Sequence, residues 1–142
     1  PVEVATDFAT YRQRYNACQQ LMETQIAALR RRLRTALTDQ APALTQLAEL
    51  DQLMEQVVGE QERVLLAGLA SRLEARFEHG CQQHLQQHGE PATGQPPAWL
   101  LTFQREMRAL LRAELDLRLQ PLEGLLEAGC QSSSAHVIRT RS

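Results

Sequence analysis

Cys81, His84 and His88 are the residues of this chain best placed to do chemistry. Steps of three and four put a thiol and two imidazoles on one face of a helix, as a metal site built on a single helix requires. His79 lies one turn away, and three ligands make an open or incomplete shell. The same stretch, Glu78-His79-Gly80-Cys81-Gln82-Gln83-His84, reads equally well as a polar, fraying helix end that holds nothing. A metal-binding or sensing domain using Cys81, His84 and His88 is therefore the alternative reading of the chain.

Arg30, Arg31, Arg32 and Arg34 make the densest charge cluster and suggest a nucleic-acid-binding face. The helix pairing derived below sets them opposite Glu49, Asp51 and Glu55, which turns the cluster into a salt-bridged or solvated face. No aromatic residues are interleaved for base stacking, so nucleic acid is a second alternative and not the expected partner. Catalytic patterns are missing too. The chain has no glycine-rich phosphate loop and no nucleophile elbow. Glu106, Glu114 and Glu123 lack the Glu-x-x-His partner of a di-iron bundle. The acidic residues read as solvent-facing charge, with Glu114 and Arg118 spaced as an i, i+4 pair. With no pair of groups set to act as acid and base, the chain reads as non-enzymatic, with no cofactor.

The elements that position these residues follow from an apolar stripe of helical period, broken at two proline-containing points. These are Thr38 to Pro42 and Gly89 to Pro97. The first helix is expected over about 7–38, capped by Thr6 or Asp7, with Phe8, Tyr11, Tyr15, Cys18, Met22, Ile26, Leu29, Leu33 and Leu37 recurring near the 3.6-residue period. The second should open at Pro42 and reach His88. Its stripe begins as Leu44, Leu47, Leu50, Met54, Val57 and Val58, becomes apolar all round from Val64 to Ala70, and continues as Leu65, Leu69, Leu73, Phe77, Cys81 and Leu85. A four-residue repeat winds slowly around a 3.6-residue helix, so the apolar face must rotate or the helix bend, with Gly59, Gly68 and Gly80 as weak points. The all-round apolar stretch should be covered from more than one side. The third helix is expected over about 97–128, kinked at Pro121 and capped by Gly129. Residues 130–142 are Ser-rich and aperiodic and read as a flexible tail. The fold class is thus all-α, three long antiparallel helices in an up-down-up bundle, residues 1–129 forming the domain.

The chain has 142 residues, 43% of them hydrophobic but only 4% aromatic, so its core must be mostly Leu and Ala. All 15 basic residues are Arg, and the net charge of -2 gives no general attraction to nucleic acid or anionic lipid. Cys18, Cys81 and Cys130 are an odd number at spacings that suggest no disulfide framework, which favours the cytoplasm. No apolar run approaches the roughly 20 residues of a membrane span. The chain starts at Pro1 without Met, so it reads as processed or as a piece of something longer.

Antiparallel neighbours can be registered by folding the chain about each turn. Residue i of the first helix then faces about 81 minus i, and residue j of the second about 185 minus j. The aromatic residues gather at one end. The third helix stops opposite about residue 57, leaving the first hairpin's tip with two helices. That tip carries Leu29, Leu33, Leu37, Leu44, Leu47, Leu50 and Met54. At roughly 1.5–3 kcal/mol per buried aliphatic side chain, such a row needs a cover. A protruding tip covered by a second copy or another protein is the expected interface, and a helical oligomerisation or protein-docking module the expected function.

The segments Tyr11 to Leu37, Pro42-Ala43-Leu44, Gln46 to Asp51, Leu73 to Glu78 and Ala113 to Leu125 resemble a proteobacterial family known as domain of unknown function 3348. The segment around Pro121 is the most specific part. The resemblance covers about residues 8–128 and implies that this chain is the C-terminal portion of a longer protein. It carries over no catalytic or binding residues. The neighbouring genes of that family, for OmpA-like and motor-like envelope proteins, point to a membrane-associated partner.

Overall fold

The computed structural model describes residues 7–89 and 95–141. Three long helices account for nearly all of them: α1 (Phe8–Gln40), α2 (Thr45–His88, preceded by a single 3-10 turn at Pro42–Leu44) and α3 (Ala98–Thr140). Among the described residues there is no strand, so the all-α three-helix class holds. Their ends are made as local chemistry requires. The Asp7 carboxylate accepts a hydrogen bond from the Ala9 amide at 3.2 Å, capping α1; the alternative cap, Thr6, lies outside the described residues. Gly89, at φ +70°, donates its N–H to the Leu85 carbonyl at 3.1 Å, the left-handed turn that ends α2. α2 is unbroken through Gly59, Gly68 and Gly80, and α3 runs through Pro121.

The chain divides into two compact units, Pro1–Gln20 with Val64–Glu114, and Leu21–Arg63 with Leu115–Ser142. Unit one has an aromatic core. Phe8, Tyr11, Tyr15, Phe77 and Phe103 are buried with Leu73 and Leu100, and Trp99 packs against them. Phe77 meets Trp99 and Phe103 edge-on at 5.3 Å, an arrangement favoured by the ring quadrupoles. Gly80 is buried beneath the Trp99 indole, where a Cβ would collide with the ring. Glu114, read from the sequence as solvent-facing, is 3% exposed. It accepts hydrogen bonds from Tyr15 Oη at 3.2 Å and Gln19 Nε2 at 2.8 Å, polar partners supplied by α1 that no local spacing reveals. Val64 and Leu65 are also corrections: both stay exposed while Leu66 turns inward, so α2 is covered on one side there.

Unit two is built differently. Its buried apolar residues are Leu37, Ala48, Leu122 and Leu125. The expected end of the third helix at Gly129 and the flexible tail are corrected here, because α3 continues to Thr140. Gly129 is not a cap but a point of close approach: a Cβ on it would lie 2.9 Å from Leu37 Cδ2. Gln40 Nε2 donates to the Gly129 carbonyl at 2.9 Å and to Ser133 Oγ at 2.7 Å. The end of the first hairpin therefore has a third helix beside it.

The register explains the difference. Folding about both turns predicts α1 and α3 partners about 104 positions apart. The observed separations are 93 and 99 in unit one and 89 and 93 in unit two. Trp99 rests on Gly80, well short of the last residue of α2, so α3 starts further back along its neighbour than the folding about the turn predicts. Gly129 against Leu37 is an offset twelve residues shorter than predicted, a slide of about 18 Å along the helix.

Candidate functional site

The centre of unit two is polar where a core is usually greasy. Arg30 of α1 grips Asp51 of α2 with two parallel bonds, Nε to Oδ2 at 2.8 Å and Nη2 to Oδ1 at 2.7 Å. Arg34 Nη1 bridges Asp51 Oδ2 at 3.0 Å and Glu55 Oε2 at 2.6 Å. The side chains of Arg30, Arg34 and Asp51 are only 10–13% exposed. Burial pushes the Asp51 carboxyl up, but the hydrogen bonds from Arg30 and Arg34 outweigh it and hold the group below its ordinary value. Burial likewise lowers the Arg34 guanidinium, and its bonds to Asp51 and Glu55 raise it above its ordinary value. Fork-shaped guanidinium–carboxylate pairs of this kind fix orientation as well as charge.

Next to this network lies a cavity of about 140 Å³, lined by Glu23, Arg30, Glu55, Glu62, Arg63 and Arg118 together with Ile26, Ala27, Gly59 and Pro121. Three guanidinium and three carboxylate groups cancel, so its field selects neither anions nor cations, and its size suits a handful of waters.

The helix face that points inward in unit two thus carries Asp51, Glu55 and Glu62 beside the buried Ala48, while most of α2's larger apolar residues there point out. Leu50 and Leu53 are each 55% exposed, Met54 49%, Val57 60% and Val58 41%. In unit one the arrangement is the usual one, with Leu66, Leu73 and Phe77 buried. The row Leu65, Leu69, Leu73, Phe77, Cys81, Leu85 follows that rotation: its ends are exposed and its middle is buried.

The residues singled out from the sequence divide accordingly. Of the expected tip interface, Leu37 is buried, Leu33, Leu44 and Leu47 are half-buried, and Leu29, Leu50 and Met54 are exposed. Leu53, Val57 and Val58 join the last two on one face of α2. The expected tip row ended at Met54, leaving Val57 and Val58 in the stripe beyond it and passing over Leu53. Of the arginine cluster, Arg30 and Arg34 are consumed by Asp51 and Glu55, whereas Arg31 and Arg32 are exposed and make no ion pair among the described residues. Glu49, expected among the partners, is exposed and makes no ion pair there. The rings of His84 and His88 lie 5.1 Å apart between centroids, tilted by 43°. Burial, and after it the Glu78 carboxylate, raises the Cys81 thiol above its ordinary value, which disfavours the thiolate that ligates metals. Among the described residues, no group of three or more His, Cys, Asp or Glu is arranged to hold a metal ion.

Residues 1–130, most of the chain, match the family described as protein of unknown function (DUF3348). The chain belongs to this family. No curated protein and no solved structure matches it significantly. Among the described residues, no helix is long and apolar enough to cross a membrane.

Proposed function

We propose that this DUF3348 chain is a non-enzymatic helical module that works by docking, and that it docks through the outer face of α2 in unit two. The observation that carries the reading is the inversion of that helix: carboxylates face the unit's interior, and Leu50, Leu53, Met54, Val57 and Val58 face outward. Single exposed apolar side chains are ordinary on a protein surface, but five within nine residues on one helix face make a contiguous patch, and such patches mark interaction surfaces. Folding them inward would displace the Arg30–Asp51–Arg34 network, so the sequence is committed to this orientation. The three cysteines, all free, fit a reducing compartment such as the cytoplasm.

The reading is tested with Leu53→Glu. The side chain is more than half exposed, so circular dichroism, and the melting temperature at concentrations too low for association, should stay within the small range of surface substitutions. Light scattering during size exclusion should show any assembly formed by the wild-type chain, with itself or with a purified partner, lost in the variant. A folded variant that keeps every association of the wild type would remove this face from consideration.

A further inference from the structure

We infer that the occupant of this face is a second copy of the chain, its α2 running antiparallel to the first about a two-fold axis that passes between Leu53 and Met54. The inference rests on the docking reading above and adds partner and geometry to it. Gln46, Leu50, Leu53, Met54, Val57 and Gln61 are all exposed on one side of α2, and their positions are palindromic: steps of four, three, one, three and four. A two-fold interface must be complementary to itself, and this pattern is. Antiparallel pairing sets Leu50 against Val57 of the other copy and Leu53 against Met54, closed at each end by Gln46 against Gln61.

Charge selects the same arrangement. In the antiparallel register the exposed carboxylates Glu49 and Glu60 fall opposite Val58 and Leu47, while Asp51 and Glu55 are turned inward onto Arg30 and Arg34, so no carboxylate meets another. A parallel pair in register would set Glu49 against Glu49 and Glu60 against Glu60, and like charges at a contact are penalised. The area agrees with a modest affinity. Five aliphatic side chains, each about half exposed, offer on the order of 400 Å² per copy. That makes a pair of roughly 800 Å² before the rim is added, below the standard interface and in the range of weak, reversible association. Dimerisation should therefore vary with concentration.

The test uses charge introduced at two positions that meet only across an antiparallel axis. Leu50→Glu alone and Val57→Arg alone should each shift the chain to monomer over roughly 10 to 500 μM in sedimentation equilibrium, a range suited to weak interfaces. The double variant Leu50→Glu/Val57→Arg places Glu opposite Arg in both halves and should recover dimer at least tenfold over either single variant. The swapped pair, Leu50→Arg/Val57→Glu, should do the same, and circular dichroism confirms that each variant is folded. Wild-type chain that stays monomeric throughout would overturn the second copy as occupant. Wild-type dimer lost with Leu53→Glu but not recovered by either double variant would overturn the antiparallel axis and leave the docking face standing. Dimer that survives Leu53→Glu would show that the α2 face itself is wrong.

Discussion

Asp51 receives three hydrogen bonds from two guanidinium groups inside a unit with few buried apolar side chains. Its neutral isostere keeps the shape but removes the charge, leaving Arg30 and Arg34 largely desolvated with Glu55 as the remaining counter-ion. Asp51→Asn should therefore cost about 2–3 kcal/mol, less than a fully buried pair because the site retains some solvent. Denaturant unfolding of the two proteins at neutral pH measures this. Acid gives an independent check with a definite sign. The folded-state value of Asp51 lies below its unfolded value, so the stability it contributes is complete above the unfolded value of about 3.9 and disappears as pH falls through the folded one. The gap between wild type and Asp51→Asn should narrow on acidification below about pH 4 and stay level from there to neutrality.

At the scale of the elements, glycines separate packing from propensity. Gly59 and Gly80 both sit inside α2, but a Cβ at Gly59 meets nothing within 4 Å whereas one at Gly80 strikes the Trp99 ring. Gly59→Ala should raise stability by about 0.5–1 kcal/mol, the helix preference of alanine. Gly80→Ala should lower it in spite of that preference, because overpacking at a buried contact costs about 1–3 kcal/mol; thermal melts of both variants decide the sign. The same contrast explains what could be read in advance. The ends of α1 and α2 were legible because Asp7 and Gly89 act through bonds to their own neighbours. The aromatic cluster was legible because coarse register suffices to gather six residues at one end. Gly129 was not: a glycine that stops a helix and one that lets another chain approach look alike in sequence, and only Leu37 distinguishes them. The length of α3 was hidden by the same glycine, together with Ser132, Ser133 and Ser134, which are poor helix formers held here in an α3 that bonds to Gln40. The docking face was half legible. Leu50 and Met54 belonged to it from their spacing, but the direction they face depends on where Arg30 and Arg34 find Asp51.

For the whole molecule, the two units satisfy their helices by different means, one with aromatic rings around Phe77 and Phe103, the other with an ion-pair network and a few leucines. A unit that turns leucines outward gains stability when those leucines are covered, and cover supplied by a second chain is linked to concentration by mass action. The most direct measurement is thus the melting temperature of the wild-type chain and of Leu53→Glu across a hundredfold range of protein concentration. The wild-type midpoint should climb steadily with concentration while that of Leu53→Glu stays fixed. Coincident, concentration-independent midpoints for both proteins would contradict self-association through α2.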